Sequence, residues 1–321
     1  MGKKILFIGI GFYDYENCIK TCLEGLGASV TYRLQQPRWH QVAILRRLAS
    51  FIKTSIEASG RKYQSELLNE IKDTEFDIVF VIKGDMLEEE FILGLRKLNP
   101  AATFIQYQWD SVRRVPNALR MATHFDRVYS FDRFDCIAYP NLQFRPLFYR
   151  AQRPEDKPRT RAKYQLMFIG WLHADRLTKI LEVDRKFKLL GGKAYFFLYT
   201  GIRTYLKECF RGNGKNLCIR KISYQDVENL MESAECILDI PHPEQTGLTI
   251  RTMETLGSKR KLVTTNEDVR NYDFYNPANI LISKDLDAQK IREFIDVPYQ
   301  KVPDPVMAKY SLQYWISEIF S

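Results

Sequence analysis

Residues 236–266, CILDIPHPEQTGLTIRTMETLGSKRKLVTTN, constrain what this chain can fold into more than any other stretch. They read as strand, loop, helix, turn and strand. Residues 236–240 form a short apolar run, interrupted by Pro241, His242 and Pro243, because proline cannot donate to a strand ladder and biases its neighbours against helix. Thr246 or Gly247 is expected to open a helix in which Leu248, Ile250, Met253 and Leu256 recur at helical spacing. Gly257 is the expected stop. The basic residues 259–261 lie where the helix dipole is negative, and residues 262–265 are largely β-branched and strand-like.

The other face of that helix carries the chemistry. Gly247, Arg251 and Glu254 stand at i, i+4 and i+7 and share one stripe. A helix start opened by glycine offers unpaired N–H groups and a positive dipole end, which suit phosphate. Arg251 adds a forked donor one turn on, and Glu254 is an acceptor for sugar hydroxyls. The competing expectation is a solvated helix whose Arg251 and Glu254 form an i,i+3 ion pair, worth only about 0.2–0.5 kcal/mol.

The rest of the chain repeats a strand–helix alternation. Residues 4–10 read as a buried strand ending at Gly9-Ile-Gly11, residues 15–26 as a helix and 28–33 as a second strand. That is the opening of a doubly wound α/β unit. Gly9-x-Gly11 is only a fragment of a dinucleotide fingerprint, since position 14 is Asp, and it reads as a tight turn. Residues 41–72 are helical in pattern, with Val42, Leu45, Leu48, Ile52 and Ile56 as an apolar stripe beside the basic residues of 38–62. This is either a core-facing amphipathic helix or a peripheral contact with an anionic membrane. Apolar strands at 76–82, 103–107 and 127–130 deliver Lys83-Gly84-Asp85, Gln108-Trp109-Asp110-Ser111 and the 131–135 turn to the carboxyl edge of one parallel sheet. Residues 151–163 are polar, contain two prolines and read as a linker. Strands at 165–170, 194–199 and 217–220, with helices at 175–190 and 224–233, lead back to the opening stretch.

The 321 residues, 45% hydrophobic and 13% aromatic, suffice for two packed domains and exclude a disordered chain. A net charge of +9 predicts attraction to anions without choosing among them. Six scattered cysteines without a Cys-x-x-Cys pair read as reduced thiols in a cytoplasmic protein, and four histidines without ligand spacing predict no structural zinc. The apolar run at the N-terminus is too short to span a membrane.

Gly247-x-x-x-Arg251-x-x-Glu254, followed by Leu256-Gly257 and the strand up to Asn266, resembles the donor-site signature of GT-B glycosyltransferases, in particular the "group 1" branch that includes CgeB-like proteins and surface-polysaccharide enzymes. Better-known retaining members carry two glutamates separated by seven residues. Here Glu244 and Glu254 are separated by nine, so the first role is not carried over to Glu244. The resemblance implies an α/β GT-B fold of two Rossmann-like domains facing across a cleft. It divides the chain into an acceptor domain (1–150), a linker (151–163), a nucleotide-sugar donor domain (164–300) and a C-terminal helix (301–321) packing back toward the first domain. It implies sugar transfer from a nucleotide sugar to a glycan or lipid-linked acceptor in lipopolysaccharide or capsule synthesis, without metal or nucleic acid. Such a protein works in the cytoplasm or peripherally on the inner face of the membrane.

On that resemblance Gly170, Thr246, Gly247, Thr249 and Arg251, with Lys221 beside them, hold the donor phosphate, and Glu254 and Asn266 the sugar or ribose. His242 and Gln245 lie in the loop above. Pro241-His242-Pro243 is similar to the His-Pro element of sialyltransferases that use a CMP-sugar, so the donor is expected to be CMP-linked, CMP-Kdo among the candidates, or a UDP, GDP or dTDP sugar. Asp110, at the end of a first-domain strand, is the expected general base or nucleophile, with a turn cap as the alternative. Asp132 and Asp135 are the second choices, Asp135 being equally suited to an N-cap. Asp285-Leu-Asp287 formally matches a metal-binding Asp-x-Asp and is read as solvated. A non-catalytic glycan- or nucleic-acid-binding protein is the alternative of another class.

Overall fold

The computed structural model describes residues 2–11, 14–41, 53–155, 162–173 and 175–321. They fall into two compact units, Met1–Pro146 with Ile316–Ser321, and Leu147–Trp315. The expected apolar positions Val42, Leu45, Leu48 and Ile52, and residues 156–161 of the expected linker, lie outside the described residues.

In the first unit six strands, β1 (Lys4–Gly9), β2 (Ser29–Leu34), β3 (Ile78–Ile82), β4 (Thr103–Gln108), β5 (Arg127–Ser130) and β6 (Gln143–Phe144), form one sheet in the order β2-β1-β3-β4-β5-β6. Every neighbouring pair is parallel. Parallel pairing needs crossovers, and these include α1 (Tyr15–Gly25), α2 (Lys53–Ile71), α3 (Glu89–Leu98) and α4 (Pro116–Ala122), with α5 (Arg133–Ala138) before β6. Such a sheet is covered on both sides, which is why β3 is apolar and buried at every position. One face packs Leu6, Val79 and Phe104 against Leu67, Phe91 and Leu95. On the other, Phe80 meets Phe7 and Phe320 with ring centroids 5.1 and 5.0 Å apart.

The second unit is again a six-stranded parallel sheet, β7 (Tyr164–Trp171), β8 (Ala194–Tyr199), β9 (Leu217–Cys218), β10 (Ala234–Asp239), β11 (Lys261–Thr264) and β12 (Ile280–Ile282). Its order is β12-β11-β10-β7-β8-β9. Helices α6 (Arg176–Leu189), α7 (Ile202–Phe210), α8 (Tyr224–Glu232) and α9 (Ile250–Gly257) connect strands, and α10 (Ala288–Asp296), α11 (Asp304–Lys309) and α12 (Leu312–Ile319) follow. Counted from β7, this is the doubly wound order in which the winding direction reverses between the first and fourth strands. That switch point, between β7 and β10, is where open parallel sheets bind ligands, and it sits at the start of the 236–266 stretch.

The helix in that stretch begins three residues later than Gly247 does. Thr249 is its N-cap and Ile250 its first residue, so Thr246 and Gly247 belong to the loop. At the other end Gly257 is still helical, and the left-handed residue is Lys259 (φ 53°). Position 257 is glycine for a different reason. A Cβ there would lie 2.7 Å from the Ala151 carbonyl oxygen and 2.8 Å from the Tyr149 side chain.

Candidate functional site

The switch point of the second unit is built around two buried charges. Asp239 ends β10, and its carboxylate accepts from the Thr249 and Thr252 hydroxyls at 2.9 and 3.0 Å. These bonds pull the first turn of α9 onto the sheet edge and decide where the helix starts. Burial pushes the Asp239 carboxyl up, against the two threonine hydroxyls and the charges of Arg176 and Arg251. Arg176, first residue of α6, crosses the switch point. Its guanidinium donates to the carbonyl of Trp171, the last residue of β7 (2.5 Å), and to the Ile240 carbonyl just after β10. Burial lowers its pKa to about 10 while Asp239 and Asp175 oppose the shift, so it remains a cation at neutral pH. Gly170 leaves room for this residue, since a Cβ there would stand 2.8 Å from the Phe168 ring and 3.2 Å from Arg176 Nη1.

The loop after β10 is held from several sides. Asn266 donates from Nδ2 to the carbonyls of Thr246 (2.8 Å) and Gly247 (3.3 Å), and its Oδ1 accepts the Asp268 N–H. His242 packs its ring against His173, 4.7 Å between centroids, and its Nδ1 accepts the Glu244 N–H. The Gln245 N–H returns to the His242 carbonyl. Asn266 and His242 therefore shape the loop through their own hydrogen bonds. Trp171, 43% exposed, turns a ring edge to Tyr199 and stands 5.9 Å from Lys221 Nζ.

On α9, Arg251 Nη1 and Glu254 Oε2 are 2.6 Å apart. The i,i+3 pair anticipated as the competing reading is formed, but not on a solvated face, because Glu254 is 6% exposed. Glu254 lines a pocket of about 230 Å³ with Arg150, Tyr224, Glu228 and Ser258. The Arg150 guanidinium lies 3.5 Å over the Tyr224 ring. Burial raises the Tyr224 phenol, and the charges of Glu254 and Glu228 raise it further. Of the residues the sequence singled out, Thr249 at the N-cap of α9 and Arg251 and Glu254 on the helix come together here, with Thr246 and Gly247 on the loop before it and Asn266, just past β11, holding that loop. Asp239, Arg176, Trp171 and Tyr224 were missed. The one available signal was an aspartate closing an apolar strand.

In the first unit, Asp110 lies just past β4 and is ion-paired twice, to Lys83 Nζ at 3.0 Å and to Arg114 Nη1 at 2.7 Å. Lys83 also reaches Asp85 at 3.1 Å and has a left-handed backbone (φ 68°), unusual for a residue with a Cβ. Burial alone would lower its pKa, but Asp110 and Asp85 outweigh burial and raise it. Asp132 is the N-cap of α5 and accepts the Phe134 N–H. Asp135 accepts the Val112 N–H at 2.8 Å and so ties α5 to the loop that carries Asp110. Burial pushes the Asp135 carboxyl up to about 6; the Val112 N–H opposes this and the Asp132 charge adds to it. At the Gly9-x-Gly11 turn the N–H groups of Ile10 and Gly11 both donate to the Glu16 carboxylate, at 2.6 and 3.0 Å. An internal carboxylate thus takes the donors that a dinucleotide phosphate would use.

Among the described residues no group of three or more His, Cys, Asp and Glu is arranged to hold a metal ion. Asp287 caps α10, and Asp285 accepts from the Ser283 hydroxyl. No helix among the described residues is long and apolar enough to cross a membrane.

No protein-family model matches the sequence, and no curated protein sequence matches it significantly. Solved structures do match. A UDP-forming α,α-trehalose-phosphate synthase from Burkholderia xenovorans superposes with a TM-score of 0.66 over 99% of both chains at 10% identity. AviGT4, a glycosyltransferase of avilamycin A biosynthesis, gives 0.61 over 99% of this chain and 96% of its own at 13% identity. The fold is GT-B. UDP-GlcNAc 2-epimerase from Methanocaldococcus jannaschii also matches (TM-score 0.55, 14% identity, 99% of each chain), so the GT-B architecture by itself does not fix the reaction.

Proposed function

We propose that this GT-B protein is a glycosyltransferase that binds a nucleotide-sugar donor at the β7/β10 switch point of its second unit. One observation carries the reading: Asp239 anchors the start of α9 there, beside Arg251 and the pocket-lining Glu254. Transfer requires that the leaving phosphate be stabilised, and the α9 start with Arg251 is the cationic feature suited to it. Glu254 would exchange part of its bond to Arg251 for ribose hydroxyls, and Trp171 with Lys221 offers a flat, positively flanked surface to a sugar or base. Gly170 acts by admitting Arg176, and Asn266 and His242 by shaping the loop over the donor. Asp110 is the carboxylate proposed to activate the acceptor hydroxyl or attack the anomeric carbon, oriented by Lys83 and Arg114, while Asp132 and Asp135 hold its surroundings.

The finer identity rests on sequence resemblance. A CMP-sugar, CMP-Kdo included, is the first donor to test, and a glycan or lipid-linked intermediate of a bacterial surface polysaccharide the first acceptor. Metal-independent transfer, a cytoplasmic location and membrane contact through residues 38–62 belong to the same proposal. The test is a thermal-shift panel of CMP-, UDP-, GDP- and dTDP-sugars on wild type, Arg251→Ala and Glu254→Gln. A donor at 100 times its Kd stabilises by about 2.7 kcal/mol, a rise of several degrees for a unit of this size. One nucleotide class should shift wild type and lose its effect in both variants. If no nucleotide shifts a folded sample, the donor site is refuted and a non-catalytic binding role takes its place.

A further inference from the structure

Helix α7 follows β8 in the second unit and is almost entirely exposed. Only Tyr205 and Glu208 turn inward, Tyr205 packing against the sheet's hydrophobic cluster. The outer surface carries two rows, each advancing by four residues. Ile202, Leu206 and Phe210 form an apolar row that is 49%, 49% and 91% exposed. Arg203 and Lys207 form a basic row one position further round, continued by Arg211 at the helix C-cap. Four-residue steps keep each row on one side of a helix, so the rows run side by side along its length.

Large side chains exposed in sequence along one helix mark an interaction surface, whereas single exposed ones need no explanation. The charge around this row identifies what it meets. Between residues 202 and 221 the chain has six basic residues, Lys215, Arg220 and Lys221 completing the set, and a single acidic one, Glu208. Glu208 is buried and turned to Arg211 and Asn213 at 3.0 Å each. Exposed Ile219 (43%) extends the apolar element into the basic segment that follows. A nucleic-acid backbone would use the basic row and leave Phe210 in water. A helix lying in a lipid headgroup layer uses both, with apolar side chains reaching the acyl boundary and cations staying among anionic headgroups.

We propose that α7 is an interfacial helix through which the second unit docks on an anionic bilayer, its apolar row inserted and its basic row on the headgroups. Nothing in this depends on which donor the switch point binds.

The test is vesicle flotation of the full chain with phosphatidylcholine alone and with 30% phosphatidylglycerol. Wild type should float with the anionic vesicles, less so at high salt, and not with the neutral ones. Leu206→Ser with Phe210→Ser should cut flotation to whatever residues 38–62 support by themselves, and Arg203→Ala with Lys207→Ala should weaken it roughly 25-fold, at about fivefold per cation. All four side chains are exposed, so melting temperatures should match wild type, which separates loss of docking from loss of fold. A Phe210→Trp variant should show blue-shifted emission on adding anionic vesicles. The proposal is overturned if wild type does not float, if the Leu206/Phe210 double variant floats like wild type, or if the emission of the Phe210→Trp variant stays unshifted while that variant binds. Retention of oligonucleotide in place of vesicles, insensitive to Phe210, would likewise overturn it and point to nucleic acid.

Discussion

Replacing Asp135 by asparagine should stabilise the protein at neutral pH and leave it unchanged in acid. The carboxyl titrates near 6 in the fold against an ordinary 3.8, mainly because of burial. A folded-state pKa raised above the unfolded value means that the native state holds the proton more tightly. Asp135 therefore contributes its full stability below pH 3.8 and loses it as pH rises through 6. The difference between 3.8 and about 6 corresponds to about 3 kcal/mol when fully expressed, and for a half-buried side chain roughly half of that remains. Asn keeps an oxygen for the Val112 N–H and carries no charge, so Asp135→Asn should gain about 1.5 kcal/mol at pH 7.5. For a unit of this size that is about 3–6 °C in Tm. Thermal melts of both proteins at pH 4, 5, 6 and 7.5 read it directly: the two should nearly coincide at pH 4, separate mainly between pH 4 and 6, and keep a constant difference above that. A variant that melts below wild type at pH 7.5, or a difference constant with pH, would refute the argument that burial of this charge is a cost.

Gly257→Ala should cost about 1–3 kcal/mol, because its methyl meets Ala151 and Tyr149, whereas Gly25→Ala, with nothing within 4 Å, should gain about 0.5–1 kcal/mol; urea melts of the pair test whether contact or backbone freedom decides. Lys83→Met should destabilise by about 2 kcal/mol through loss of the charged bonds to Asp85 and Asp110. Lys83→Gly should recover about 1 kcal/mol of that by relieving the left-handed backbone, and equal melts of the two variants would remove strain from the account.

Much of the architecture was legible because buried parallel strands write themselves as dense apolar runs. The runs at 4–10, 76–82 and 236–240 are β1, β3 and the end of β10. The site was less legible, for reasons that can be named. Spacing suggested a helix opening at Gly247, but the bonds from Thr249 and Thr252 to Asp239 set the start at Ile250, and a contact across ten residues leaves no periodic trace. Asp239 escaped notice because a buried carboxylate looks like the polar end of a strand until its partners are known. Arg176 is the first residue of an unremarkable helix, and only the topology brings it between the ends of β7 and β10. Asp132 and Asp135 were legible as acids near the right edge, but which of them caps α5 depended on the exact position of its first turn.

The way the first unit is completed bears on the order in which the protein is made. Ile316 and Ile319 are fully or almost fully buried in that unit, Phe320 meets Phe80 edge to face, and Glu318 pairs with Arg145. A ribosome reaches residues 316–321 only after it has synthesised all of Leu147–Trp315. The first unit to emerge must therefore wait, with the surface around Phe80 uncovered, while the second is translated. The usual sequence in which an N-terminal domain folds before its successor appears is not open to it. Expressing residues 1–146 alone would reproduce that waiting state, lacking the segment that closes the sheet's second face.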